Sequence, residues 1–266
     1  MRPRLTEAQL SDHFGTALSS GRLRIHNQSI RNWVTELVAR NGVADFVLTP
    51  TAIGGDRLER ARRLARSITT PGAATVLAAL SVKGETTLEE IRRRTSLSST
   101  TVRTTLRKLT LGGVVWGEES GVRLLFPIHE NDIELWAYEL KLKDWKRGLY
   151  QAFQYKPFAH SVAIVLPREA ATPVMARLDR FRAYNVGVLI FDPETDDLRV
   201  LVRPKKSPPD SLSHYLFALA GFVRKISAHQ HGQTDGFARG GTIRQAGLRV
   251  EGQHIPSFII HGHPEH

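Results

Sequence analysis

Between residues 133 and 228 the chain switches repeatedly between short apolar runs and amphipathic stretches, and that alternation confines it to the α/β class. The strand-like runs are 133–142 (IELWAYELKL), 161–167 (SVAIVLP), VGVLIF and LRVLVR, the last two joined by the turn DPETDD. Helical stretches separate them: DWKRGLYQAFQYKPF with Asp144 as N-cap, EAATPVMARLDRFRAY interrupted near its start by Pro173, and the apolar 211–228. Upstream, Ile30, Trp33, Val34, Leu37 and Val38 fall at helical spacing, which predicts an amphipathic helix over 28–40 ended by Asn41-Gly42. A strand at 43–48 (VADFVL), stopped by Thr49-Pro50, and a charged helix at about 56–68 follow.

Residues 71–127 have a different rhythm. A short apolar helix (AATVLAALSV) precedes Thr87-Leu-Glu-Glu90, a capping box that opens a second helix, LEEIRRRT. After the turn SLSS comes a third helix with Val102, Leu106 and Leu109 inward, then a hairpin, VVWGEESGVRLLF. Three helices and a two-stranded wing resemble the winged helix-turn-helix domain. The resemblance implies that the third helix enters the DNA major groove, presenting Ser99, Thr100, Thr101, Arg103, Thr104, Arg107 and Lys108, with Arg123 on the wing as a phosphate contact.

Charge supports a polyanionic partner. The formal net charge is +11 over 266 residues, and residues 56–127 hold 13 Lys and Arg against 7 Asp and Glu. Residues 130–204 are balanced, 11 against 11. There is no cysteine, which excludes disulfides, thiolate-held zinc, iron–sulfur clusters and thiol catalysis. No apolar stretch is long enough to span a membrane and the first residues lack a signal-peptide core, so a cytoplasmic protein is expected. Gly54-Gly55 lacks the spacing of a phosphate-cradling loop and reads as a turn. The histidines gathered after position 229, among them His261 and His263, read as a polar carboxy-terminal extension.

The tripeptide Glu139-Leu140-Lys141 lies in a predicted strand, so its carboxylate and ammonium leave from one face while Tyr138, Leu140 and Leu142 occupy the other. Such a pair can hold a divalent metal and stabilise charge on a phosphate. With Asp45 in the strand 43–48, Glu36 before it, and Gln151 and Tyr155 spaced four apart after the pair, residues 28–48 and 133–167 resemble the PD-(D/E)xK nuclease superfamily. The spacing Gln151-Ala-Phe-Gln-Tyr155 is similar to the Q-x-x-x-Y motif of its RecB-type branch, although Ala44 stands where many members have proline.

The resemblance implies a restriction-endonuclease-like αβββαβ core. Its parts would be residues 1–55 and 128–228, with a basic linker helix at 56–70, the winged helix at 71–127 inserted between core strands, and an extension at 229–266. Asp45 and Glu139 would hold Mg²⁺ or Mn²⁺, Lys141 would position the attacking water, Glu36 would assist, and Gln151 and Tyr155 would face the metal and the scissile phosphate. Should Asp45 lie elsewhere, Asp132 or Glu134 would take its place. The expected activity is phosphodiester hydrolysis on double-stranded DNA, with a homodimer as the usual arrangement for cutting both strands. The alternative is a DNA-binding transcriptional regulator or assembly protein whose nuclease-like domain is inactive.

Overall fold

A strand stands where apolar spacing predicts the first helix. The computed structural model describes residues 5–25, 28–30, 32–80, 84–118 and 120–238. In it, β3 (Asn32–Ala39) and β4 (Gly42–Thr49) form an antiparallel hairpin in register from Asn32↔Thr49 to Ala39↔Gly42. Asn41-Gly42 therefore closes a hairpin turn, with Gly42 at φ 144°, and caps no helix. The helix-like spacing in this strand has a physical source. Glu36 adopts a left-handed φ of 49°, which breaks the strand's period-two alternation. Val34 and Leu37, three apart, then enter the same core, and on the facing strand Val47 and Ala44 do likewise. A strand broken in this way mimics helical spacing, while Trp33, Val34, Thr35 and Val38 supply the β-branched and aromatic character that strands favour.

The first helix lies earlier. Here α1 (Glu7–Ser19) opens with a capping box in which Thr6 accepts from the Gln9 amide and the Gln9 side chain returns the bond. Its Leu10, Phe14, Ala17 and Leu18 are buried. Two short strands, β1 (Arg24–Ile25) and β2 (Gln28–Ser29), pair with each other before β3 begins.

After β4 come α2 (Gly55–Ser67), α3 (Pro71–Ala78), α4 (Leu88–Thr95) and α5 (Ser99–Leu111), then the hairpin β5 (Val115–Glu118) and β6 (Gly121–Leu124). The Thr87–Glu90 capping box forms as its sequence predicts. The chain returns through β7 (Trp136–Leu140), α6 (Trp145–Phe153) and β8 (Ser161–Pro167). It continues through α7 (Ala171–Met175), α8 (Leu178–Ala183), β9 (Gly187–Asp192), β10 (Asp197–Val202) and α9 (Leu212–Ala238). Pro173 sits within the first turn of α7, where its missing N–H is no loss, and the helical stretch breaks later, at Ala176–Arg177.

Six strands form one mixed sheet in the order β10-β9-β8-β7-β4-β3. The pairs β3–β4, β4–β7 and β9–β10 are antiparallel, whereas β7–β8 and β8–β9 are parallel. Segment α2–β6 thus lies between two strands that are sheet neighbours, joined by Phe46↔Tyr138 and Leu48↔Trp136. One face of the sheet packs on α1 through Phe14, whose ring meets Phe46 and Phe191 edge-on at 5.0 and 5.3 Å. The other face packs on α6 and α9, and its apolar core continues into α2, α3, α4 and α5. The predicted basic helix near 56–68 accordingly has a buried face, Ala61, Leu64 and Ala65, and Arg224 of α9 ties its end by bonds to the carbonyls of Ala65 and Ile68. No helix among the described residues is long and apolar enough to cross a membrane.

Candidate functional site

Strand β7 is flanked by neighbours on both sides, so its side chains must enter one of two covered faces. Tyr138 and Leu140 join the core under α1, and Glu139 takes the opposite face, where its side chain is only 1% exposed. A carboxylate so placed needs partners. Lys141 Nζ lies 2.7 Å from Glu139 Oε1, and the Tyr155 hydroxyl lies 2.5 Å from Oε2. The same hydroxyl lies 2.7 Å from the Val43 carbonyl, and one phenol proton serves two acceptors. Burial first, then the bond to Glu139, raises the Tyr155 pKa far above that of a free phenol, so it remains a donor.

Helix α6 makes room for the lysine. At Gly148 a β-carbon would meet Lys141 Cγ at 3.0 Å and Ile164 Cγ2 at 3.3 Å, so glycine is what lets the helix lie directly over the lysine stem. Asp144 caps this helix, accepting from the Arg147 amide at 3.0 Å. Gln151 projects from it, partly buried, and its Oε1 is enclosed without a hydrogen-bond partner among the described residues. Tyr155 does not share the helix as its spacing predicts. The helix stops at Phe153, and Tyr155 reaches Glu139 from the following turn.

Asp45 comes from β4 at the rung where the alternation breaks. Register between β4 and β7 stops at Phe46↔Tyr138, and the next free amide of β7, that of Leu140, donates instead to Asp45 Oδ2 at 2.7 Å. The carboxylate thus replaces a main-chain acceptor and is held between Glu139 and Lys141 in sequence. Burial and the charge of Glu139 raise its pKa from 3.8 to about 6, against the lowering effects of the Leu140 amide and Lys141. Asp132 and Glu134 lie before β7 and are otherwise engaged: Glu134 binds the Trp136 indole and Lys206, each at 2.6 Å, and Asp132 accepts from the His129 amide at 3.3 Å.

Glu36 does not join this group. Its segment is a strand, its backbone is left-handed and its side chain is exposed, without a hydrogen bond or ion pair to another described residue. The acidic side chain that a helix does bring is Glu7, in the first turn of α1. Its Oε2 lies 3.9 Å from Lys141 Nζ, and its Oε1 accepts from the Leu142 amide at 3.4 Å. Sequence signals for this helix exist in Thr6-x-x-Gln9 and in the spacing of Leu10, Phe14, Ala17 and Leu18. Beside the group a groove of about 810 Å³ runs along α1 and past the ends of β7, β8 and β9, walled by Gln9, His13, Leu142, Lys143, Arg168 and Asp192 among others. Ends of parallel strands are where open α/β sheets commonly bind ligands.

The donor set is all oxygen. Mg²⁺ is commonly held by one or two carboxylates and keeps several waters, so Asp45 and Glu139 fit such an ion in donor type and number, and α6 adds the Gln151 amide oxygen, unpartnered among the described residues. Among the described residues no three His, Cys, Asp or Glu side chains converge as a ready-made ligand cluster.

On α5, Thr100, Thr101, Arg103, Thr104, Arg107 and Lys108 are exposed, while Ser99 is half-buried in the first turn behind the Ser98 cap. Four of these, Thr100, Thr101, Thr104 and Lys108, line a groove of about 260 Å³ with Thr69 and Thr70 at the start of α3. Arg123 is exposed but stacked, its guanidinium 4.6 Å from the Trp116 ring across the β5–β6 hairpin. Of the late histidines, His229 donates from Nδ1 to the Lys225 carbonyl at 2.7 Å, and His261 and His263 lie outside the described residues. Comparison with protein-family models, with curated proteins and with solved structures finds no match.

Proposed function

We propose that this chain is a metal-dependent nuclease of the PD-(D/E)xK kind, hydrolysing phosphodiester bonds in DNA, with a winged helix inserted in its core. The observation that carries it is the Asp45 carboxylate held on the Leu140 amide, close enough to feel the charges of Glu139 and Lys141, with Lys141 paired to the buried Glu139 on the neighbouring strand. The order α1, β3, β4, β7, α6, β8, with three antiparallel strands followed by a parallel one, fits the αβββαβ core. In that frame Glu7, not Glu36, is the acidic residue of the first helix. The three helices α3 to α5 and the β5–β6 hairpin fit the winged helix, and α5 turns its hydroxyls and cations outward as a DNA-reading helix would.

Asp45 and Glu139 would hold Mg²⁺ or Mn²⁺, which when bound lowers the pKa of water and neutralises phosphate charge. Lys141, its Nζ placed 2.7 Å from Glu139 Oε1, presents positive charge to the phosphate. Tyr155 fixes the Glu139 carboxylate through Oε2, and Gln151 offers an amide oxygen that no described residue engages. Glu7 steadies Lys141 from the α1 side.

A second reading, an inactive nuclease-like domain within a DNA-binding regulator, is favoured by one observation: both oxygens of Glu139 already have partners. Cleavage of a plasmid and a duplex oligonucleotide with Mg²⁺ or Mn²⁺ separates the two. Loss of cleavage in Glu139→Ala and Lys141→Ala supports the enzyme. Cleavage that survives both places the activity elsewhere. Salt-sensitive duplex binding by a wild type that never cuts favours the regulator.

A further inference from the structure

The charge balance of residues 130–204 conceals a sorted surface. Residues 144–184 alone hold seven Lys and Arg against three Asp and Glu. Lys146, Arg147, Arg177, Arg180 and Arg182 are exposed and make no ion pair with a described residue. Lys146 and Arg147 lie in the first turn of α6, where the helix dipole disfavours cations. Lys146 has a local contact, its Nζ 5.8 Å from the Trp145 ring centre, and neither cation is offset by an acid in that turn.

Among these cations stand three exposed aromatic rings. Tyr150 and Phe153, three apart on α6, are 63% and 43% exposed, and Tyr184 after α8 is 51% exposed. Phe153 and Tyr184 meet edge-on at 5.6 Å, with Lys156 Nζ 5.4 Å from the Phe153 ring and 3.3 Å from the Tyr184 carbonyl. Trp145 and Phe181, rings 5.9 Å apart, join α6 to α8 underneath. The patch is thus a fixed aromatic ledge with a positive border, on the helix whose Gly148 touches Lys141 and whose next turn carries Tyr155.

We infer that this ledge binds an unpaired DNA strand beside the Glu139–Lys141 site, its rings stacking on bases and its cations following the phosphates. Base stacking is open to aromatic faces only when bases are unpaired, and interleaved cations and rings are what single-strand binders use. A duplex would present only phosphates here and leave the rings idle. The inference rests on the nuclease reading for its choice of DNA, and it makes the preferred substrate one with a single-stranded portion, such as a flap, gap or frayed end.

Fluorescence anisotropy of a labelled single-stranded oligonucleotide in EDTA tests it without any need for hydrolysis, on the full chain. The wild type should bind the single strand. Tyr150→Ala, Phe153→Ala and Tyr184→Ala should each weaken that binding roughly fivefold to a hundredfold. Tyr150→Phe and Phe153→Tyr should retain it, and unchanged thermal melting would show that the exposed substitutions leave the fold intact. Arg107→Ala with Lys108→Ala should weaken duplex binding and spare the single strand. Alanine variants that bind the single strand like wild type, variants that lose duplex and single strand equally, or a preference for RNA of the same sequence would each overturn the inference. If wild type cuts duplex DNA with Mg²⁺ while the ledge variants bind single strands normally, the nuclease reading stands and the ledge fails. If the ledge binds but no substrate is cut, the reverse holds.

Discussion

The Asp45 carboxylate accepts the main-chain amide of Leu140 at 2.7 Å, doing the work of a strand carbonyl one rung beyond the last β4–β7 pair. The proposed metal-holding acid is thereby tied to the residue between Glu139 and Lys141, and sheet geometry fixes the spacing of all three. The tie also accounts for the cost of the site: a carboxylate with its pKa raised to about 6 is ionised at neutral pH against the pull of burial and of Glu139.

Replacement of that charge should therefore separate stability from activity. Asp45→Asn keeps an acceptor for Leu140 and removes the charge, so the metal-free protein should gain on the order of 1 kcal/mol at pH 8 after allowance for solvent screening. That corresponds to about 2–4 °C in Tm for a chain of this size. Cleavage should be lost. Asp45→Ala, which leaves the Leu140 amide without its acceptor, should show no such gain. Thermal scans of the three proteins check this.

The sign of the pH dependence follows from the same group. Its pKa is higher folded than the usual 3.8, so its contribution to stability is complete below pH 3.8 and disappears as pH rises through about 6. The Tm of metal-free wild type, relative to Asp45→Asn, should fall across that window and level off above it. Metal binding needs the ionised form, so Mg²⁺ affinity should drop about tenfold per pH unit below 6. Calorimetry at pH 5, 6 and 7.5 measures it.

The Glu139–Lys141 pair is buried on both sides, so breaking it differs from removing it. Lys141→Met strands the carboxylate and should cost about 3–5 kcal/mol, whereas Glu139→Gln with Lys141→Met should recover most of that loss. Tyr155→Phe removes the donor to Glu139 and Val43 and should cost about 1–3 kcal/mol. Urea denaturation of wild type, Lys141→Met, Glu139→Gln and the double variant gives the coupling of the pair directly, with Tyr155→Phe measured beside them.

Much of the site was legible because its chemistry follows strand periodicity. Glu139 and Lys141 share a face by their spacing alone, and Asp45 sits in a short apolar run that forms β4. The helical acid was not legible, because one left-handed residue, Glu36, gave β3 the apolar spacing of a helix. With a helix drawn at 28–40, Glu36 takes the place beside Lys141 that the fold gives to Glu7, whose own helix is announced by Thr6 and Gln9. The ledge on α6 and α8 was hidden for another reason: counted along the chain, its cations cancel against acids that fold elsewhere, such as Asp192, Asp196 and Asp197 around the β9–β10 turn.

This exchange of acids is testable by activity. Glu7→Gln should lower the cleavage rate about tenfold or more through looser placement of Lys141, and Glu36→Gln should leave it unchanged. Equal effects, or loss in Glu36→Gln alone, would contradict the part proposed for Glu7.

The most direct measurement is the titration of Mn²⁺ into metal-free protein at pH 7.5, wild type against Asp45→Asn and Glu139→Gln. One centre built from both carboxylates predicts a single site in the wild type that weakens by more than tenfold in each variant, with cleavage falling in step. Binding that is indifferent to both substitutions would contradict it.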